Sequence, residues 1–295
     1  MIISKESLAA IFAAFNTLFQ DAFSAYQPQY RLVAMEVPST VLEENYAWLG
    51  AFPKMREWLG ERQYKNLKAG KYSIINKDYE ATVEVDRNEI NDDKIGLFKP
   101  IFSEMGRGAA AHPDELVFGM LPSGFTKLCY DGLPFFSDEH KVGKSEVSNM
   151  DIPESNPGNP WFLLDTSRAV KPIIFQNRQA PQFAALTNPD SEHVFKTKKF
   201  LYGVDSRDNV GFGLWQLAFG SKKALDATNF AAAKAAIGSF KNDSGVPLGL
   251  KGNLLVVGPS AEAAARKLLY GDLMAGAESN PWKGSAELLV CPWLD

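Results

Sequence analysis

Apolar residues recur every three or four positions near the start of the chain. Leu8, Ile11, Phe12, Phe15, Leu18, Phe19 and Phe23 fall on one stripe. That period predicts an amphipathic helix over residues 4–25, with Ser4 or Ser7 as its cap. Two placements fit it: a helix packed on its own domain, or an arm lying on a neighbouring copy.

The pattern then changes period. Residues 28–37 (PQYRLVAMEV) read as a strand. In KYSIINKDYEATVEV the apolar positions alternate at Tyr72 and Ile74, then at Tyr79, Ala81, Val83 and Val85, with a turn or bulge at Asn76–Asp78. Ahead of it, Trp48, Leu49, Phe52, Met55, Trp58, Leu59 and Tyr64 are interleaved with charge. A thin ribbon cannot hide that many large groups by itself, so it has to lie against another surface.

From Asp92 to Leu121 the helical period returns. Ile95, Phe98, Phe102, Met105, Ala109, His112, Leu116 and Met120 form one stripe, with Asp92 or Asp93 as the cap. A helix of this extent spans about 45 Å. Pro100 suits a first turn, whereas Pro113 is expected to bend or split the helix, and Gly106 and Gly108 to weaken it.

Residues 141–160 are rich in Ser, Asn, Pro and Gly and read as a loop. Strands follow in WFLLD, KPIIFQ, QFAAL, HVFKTKKFLYGV and VGFGLWQLAFG. A helix is expected over 225–240, a buried strand in NLLVVGP, a helix in SAEAAARKLLYGD capped by Ser260, and a last strand in AELLVCPWL. The mixture predicts an α+β fold.

Composition narrows the classes. Of 295 residues, 45% are hydrophobic and 20 are Phe, which describes a globular chain with much surface to bury. The net charge of −4 argues against binding nucleic acid through a basic surface, but allows a container whose inner face meets DNA weakly. Cys129 and Cys291 are too few for a disulfide framework and read as buried small groups in a reducing compartment. The first residues lack a secretory pattern, and no uninterrupted apolar run reaches the roughly 20 residues a bilayer span needs. The expectation is a chain made in the cytoplasm.

Candidate chemistry is sparse. His112, His140 and His193 have no metal-ligand spacing, and no nucleophile elbow, Walker loop or HExxH occurs. Ser137–His140 reads as a polar turn, and Gly211–Gln216 as a strand whose small residues permit close packing. No catalytic residue, metal or cofactor is expected.

Several stretches together resemble the Mu-like phage major head subunit family: YAWLGAFPKMREWLGER, the run YSIINKDYEATVEVDRNEINDDKIGLFKPIFSEMGRGAAAHPDELVFGML, CYDGLPFFSDEH, LLDTSRAVKPIIFQNR, GFGLWQLAF and LLVVGPSAEAAARKLL. The likeness runs from about residue 30 onward and is less distinct over the first helix.

The resemblance implies a Hong Kong 97-type capsid fold. Residues 1–30 would be an N-terminal arm and 51–82 an extended hairpin, the E-loop. Residues 31–50, 83–125 and 158–220 would form a peripheral domain with its spine helix at about 92–121, and 126–157 with 221–295 an axial domain. The peripheral strands would then precede most of the axial domain, a permuted order relative to many relatives. The implied function is a self-assembling shell of pentamers and hexamers around double-stranded DNA in a virion head. The implied partners are scaffold, protease and portal proteins, with no membrane. The expected subunit contacts are Phe12, Phe15, Phe19, Trp48, Phe52, Trp58, Tyr64 and Tyr72. Two other readings remain: an encapsulin-like compartment and a soluble enzyme with a dispersed site.

Overall fold

The computed structural model describes residues 3–50, 72–92, 94–273 and 278–295. Both serines proposed as the first cap take part in it. Ser7 N donates to Ser4 Oγ at 3.2 Å, and Ser4 N donates to Ser7 Oγ at 2.9 Å, a reciprocal box that opens helix α1 (Lys5–Ala25). Residues Tyr30–Leu32 form a 3₁₀ turn, so the strand expected from residue 28 starts only at β1 (Ala34–Pro38). Strand β2 (Glu43–Asn45) pairs antiparallel with β3 (Ser73–Ile75), and β4 (Lys77–Asp86) follows. Asp86 then caps the short helix α2 (Arg87–Asn91), and a 3₁₀ turn at Lys94–Phe98 leads into α3 (Lys99–Ser123).

Beyond α3 lie β5 (His140–Val142), β6 (Ser145–Val147), β7 (Met150–Asp151) and β8 (Trp161–Leu164). The strands β9 (Ile173–Leu186) and β10 (Lys199–Phe212) form one long hairpin with helix α4 (Glu192–Thr197) at its tip. Then come β11 (Ala218–Ser221), α5 (Ala227–Ser239), β12 (Leu254–Val257), α6 (Glu262–Tyr270) and β13 (Glu287–Val290).

Two sheets organise these elements. The four-stranded sheet has the order β1-β9-β10-β4, and the five-stranded sheet β13-β12-β8-β11-β7. The stretch 158–220 is divided between them: β8 and β11 pair in the five-stranded sheet, β9 and β10 in the other. The buried residues form two clusters, and the larger reaches into both sheets: it takes in Ala34 of β1, Ile173, Ile174 and Phe175 of β9 and Phe212 of β10. The smaller core joins Leu8, Ile11 and Phe15 of α1 to Phe102 of α3 and to Val85, Phe200 and Tyr202 of the four-stranded sheet. The larger one centres on β8, β11 and β12 with α5 and α6. Helix α3 enters both, with Phe102 in the first and Val117, Phe118 and Leu121 in the second. It is therefore a strut between two cores, about 37 Å long.

The spine departs from its expected form in three ways. It starts at Lys99 rather than near Asp92, with Pro100 in its first turn. Pro113 lies inside a continuous helix rather than splitting it. The buried face is Phe102, Gly106, Ala110, Asp114, Val117, Phe118, Met120 and Leu121; it keeps Phe102 and Met120 of the expected stripe, while its middle runs through Gly106, Ala110 and Asp114 instead of Met105, Ala109 and His112. The reason is the close approach of α1: a Cβ on Gly106 would lie 2.2 Å from the Phe19 carbonyl oxygen. Contacts ascend together along both helices (Phe15 to Phe102, Phe19 to Gly106, Tyr26 to Asp114), so α1 and α3 run in the same direction.

Three smaller expectations also change. KPIIFQ and QFAAL are parts of the single strand β9. Pro181 is tolerated there because the β9–β10 register shifts between Asp205 and Arg207, opposite it. The start of HVFKTKKFLYGV is helical, capped by Ser191. Ser260 does not cap α6; its backbone N–H and hydroxyl instead bond the Asp295 carboxylate. The stretch Lys5–Leu32 is long and apolar enough by length and composition to cross a bilayer. Here its inward stripe is covered by α3 and the four-stranded sheet.

Candidate subunit-contact surfaces

The scaffold that holds the surface is tied by buried polar groups. Asp114 is fully buried, and its carboxylate accepts from Gln29 N at 2.9 Å, Tyr30 N at 2.6 Å and the Tyr26 hydroxyl at 2.7 Å. It fixes the chain leaving α1 onto the spine. Burial, and then the bond to this carboxylate, push the Tyr26 hydroxyl up to about 12. A second tie lies under β2 and β3. Tyr46 donates to Gln176 Oε1 at 2.8 Å, and Gln176 donates to Asn76 Oδ1 at 2.7 Å. Asn76 in turn donates to Ser39 Oγ at 2.8 Å. The Asn76 break anticipated as a turn or bulge is thus a buried joint where the chain passes from one sheet to another.

That joint anchors the root of the segment 47–71, where the chain enters and leaves it. Tyr46 N donates to Tyr72 O at 2.9 Å, closing the two chain ends on either side of residues 47–71. Around the root, Val41, Leu42 and Ile75 are exposed apolar side chains. Such a patch beside a paired root is a surface suited to contact with another molecule.

The expected contact residues fall into three groups. Phe15 and Phe19 are 1% and 0% exposed, so neither ring offers area to a second copy in this arrangement. Phe15 stacks on Phe102 at 4.0 Å and meets Tyr202 edge-on. Phe12, Trp48 and Tyr72 are half-buried. Phe12 stacks on Phe183 at 5.5 Å, Trp48 meets Tyr46 edge-on, and the Tyr72 hydroxyl accepts from Phe212 N. Burial pushes Tyr72 up to about 12. Phe52, Trp58 and Tyr64 lie outside the described residues, as do Lys65, Lys68 and Lys71.

Other exposed apolar residues were not singled out by sequence. Phe195 on α4 is 81% exposed, and Leu97, Leu128 and Leu273 are also outward-facing. The signal for Phe195 was present in EHVFKT: in so short a helix only Val194 turns inward.

The titratable clusters act as structure. His140 is fully buried rather than on a solvated turn. Its Nδ1 lies 2.7 Å from Asp131 Oδ2, its Nε2 3.2 Å from the Phe135 carbonyl, and its ring stacks on Trp215 at 4.0 Å. The Cys129 thiol donates to Asp131 Oδ1 at 3.1 Å. Burial, with the Asp131 charge beside it, pushes that thiol up, the reverse of an activated nucleophile. Burial pushes Asp131 up, but bonds from His140, Cys129 and Leu133 N hold it below the usual carboxylate range. His112 contacts Asp208 at 3.3 Å and the Tyr79 ring edge-on, which fastens the spine to the four-stranded sheet. The glycines of Gly211–Gln216 serve close packing: a Cβ on Gly213 would lie 2.2 Å from the Lys171 carbonyl oxygen. Among the described residues, no three His, Cys, Asp or Glu side chains are grouped to hold a metal ion.

The family model described as Mu-like prophage major head subunit gpT matches residues 8–294, including the first helix where the sequence likeness was less distinct. A protein described as major capsid protein of Escherichia phage Mu is 40% identical over 305 residues, covering 100% of both chains. In a procapsid of bacteriophage JBD30, a chain matches with a TM-score of 0.87 and 41% identity, over 99% of this chain and 100% of that one. A chain from the JBD30 capsid decorated with minor capsid protein trimers matches with a TM-score of 0.80 and 31% identity, over 94% of each.

Proposed function

We propose that this chain, which belongs to the Mu-like prophage major head subunit family, associates with itself as pentamers and hexamers to close an icosahedral shell around double-stranded DNA. As a member of that family, with the Hong Kong 97-type capsid fold, it is a structural protein of the phage head. The observation that supports the reading is the match to a procapsid chain over 99% of this chain and 100% of that one.

The two sheets and the spine between them support a division into two domains. The peripheral domain comprises the four-stranded sheet with α1 and the first half of α3, drawing β9 and β10 from the 158–220 stretch. The axial domain comprises the five-stranded sheet with α5 and α6. The excursion rooted at Tyr46 and Tyr72 is the E-loop, reaching over a neighbouring copy. Scaffold, protease and portal proteins are partners in building the head. An overall charge of −4 suits DNA held without sequence preference, with inward Lys, Arg and counterions offsetting phosphate repulsion.

Negative-stain microscopy with light scattering on the purified protein, alone and co-expressed with the neighbouring phage genes, tests this. Closed shells containing nucleic acid are expected. Shells that instead hold an enzyme point to a storage compartment, and a monomer under both conditions overturns the reading.

A further inference from the structure

One face of the four-stranded sheet is built as a seat for the β2–β3 ribbon. Gln176 on β9 and Asn209 on β10 stand directly opposite each other, so their side chains share a face, and Gly211 follows two residues on along β10. Gln176 is fully buried, and its amide donates to Ile74 O at 3.1 Å. Asn209 donates to Ile75 O at 2.6 Å, and Phe212 N donates to the Tyr72 hydroxyl. At Gly211 the ribbon lies closer than a side chain allows: a Cβ there would be 2.4 Å from Ile74 Cδ1 and 2.8 Å from the Tyr72 hydroxyl.

A pair of three-residue strands is marginal by itself, and β2–β3 joins neither large sheet. Its direction is therefore set by what it lies on. Apolar contact is non-directional, so Ile74 resting on Gly211 holds the ribbon down without fixing its angle. The amides of Gln176 and Asn209, aimed at successive carbonyls, fix that angle. Gln176 also accepts from Tyr46 and donates to Asn76, so one buried amide holds the chain just after β2, within β3 and just before β4. On the opposite side of β3, Ile75 is 52% exposed.

We propose that Gln176, Asn209 and Gly211 are positioning residues for assembly. The seat fixes the direction in which the ribbon leaves its own copy, and copies close into a shell only when every ribbon holds that direction. The inference rests on the shell reading above, in which the chain rooted in this ribbon reaches over a neighbour. A closed shell repeats one contact geometry many times. A ribbon free to swing adds an ordering cost at each contact, and it admits contacts at angles that do not close.

Three variants separate positioning from mere stability. Asn209→Ala trims a partly exposed residue and removes one bond of the seat. Gln176→Leu removes three and leaves an apolar side chain of similar size. Ile237→Val, in the larger core, is the control for a comparable loss of stability. Hydrogen exchange of the unassembled chain is read at the amides of Tyr46 and Asn76, which are bonded within the ribbon to Tyr72 O and Leu42 O. Shells are counted by negative-stain microscopy after co-expression with the neighbouring phage genes. The ribbon amides are expected to exchange about fivefold faster in Asn209→Ala and about fiftyfold faster in Gln176→Leu, with the β9–β10 amides unchanged. Both variants should give open or irregular particles, and the wild type and Ile237→Val closed shells. If Gln176→Leu does not fold, Asn209→Ala decides alone. Should the seat variants close shells of wild-type size, or leave ribbon exchange unchanged, or should Ile237→Val fail as they do, the proposal is overturned and the shell reading stands. If the wild type forms no shells, both fall.

Discussion

The Asp114 carboxylate on the spine accepts a 2.6 Å hydrogen bond from the backbone N–H of Tyr30, a residue 84 positions earlier in the chain. It is buried, has no ion-pair partner among the described residues, and accepts from three donor groups at the point where the chain leaves α1. Asp114→Ala leaves Gln29 N, Tyr30 N and the Tyr26 hydroxyl without that acceptor. The expected loss is about 3 kcal/mol of unfolding free energy, measured by denaturant titration of the unassembled chain.

Two glycines in one helix are expected to respond in opposite directions. Gly106→Ala drives a methyl into the Phe19 carbonyl and separates α1 from α3, costing about 2 kcal/mol. A Cβ on Gly108 meets nothing within 4 Å. Gly108→Ala should therefore gain about 1 kcal/mol from helix propensity alone. Paired thermal melts of the two variants decide whether α1 lies on the spine as described.

The Tyr202 hydroxyl is buried and has no hydrogen-bond partner among the described residues. Tyr202→Phe removes an unpaired polar group and should stabilise by about 1 kcal/mol at neutral pH.

Burial also sets the alkaline limit. Desolvation raises Tyr72 and Tyr202 to about 12, and it raises Cys291 to about 12 as well. A folded value above the unfolded one means that the folded chain holds its proton more tightly. The stability is complete below the unfolded values, near 9 for Cys and 10 for Tyr, and is lost as pH rises toward 12. For Tyr202, fully buried, the loss by pH 12 is about 2 kcal/mol. Unfolding free energy measured against pH should be flat to about pH 9 and fall above it, less steeply in Tyr202→Phe.

The sequence was legible where burial follows a simple period. Leu8, Ile11, Phe15 and Phe19 reported their own helix face, and Ser4 its start. Legibility failed where a small or charged residue sits inside. Gly106 and Asp114 lie on the buried face of α3, yet a pattern of apolar positions passes over both and runs through Met105, Ala109 and His112 instead. The β9–β10 hairpin was read as several short strands because Pro181 and the capped turn at Ser191 look like boundaries. A register shift and a six-residue helix absorb them. The contact surface was the least legible part. Periodicity reports which rings are apolar, not which remain uncovered: it marks Phe15 and Phe19, both buried, and gives no sign that Phe195 is exposed.

The proposed role of this chain is that of a shell subunit whose spine joins a peripheral and an axial core. Cryo-electron microscopy of particles assembled in the presence of the neighbouring phage proteins tests it most directly. A closed icosahedral shell is expected, with α1 lying along α3 of its own subunit and the chain beyond Tyr46 crossing a neighbour before it returns at Tyr72. Particles in which that excursion folds back on its own subunit, or a chain that stays monomeric beside its natural partners, would contradict it.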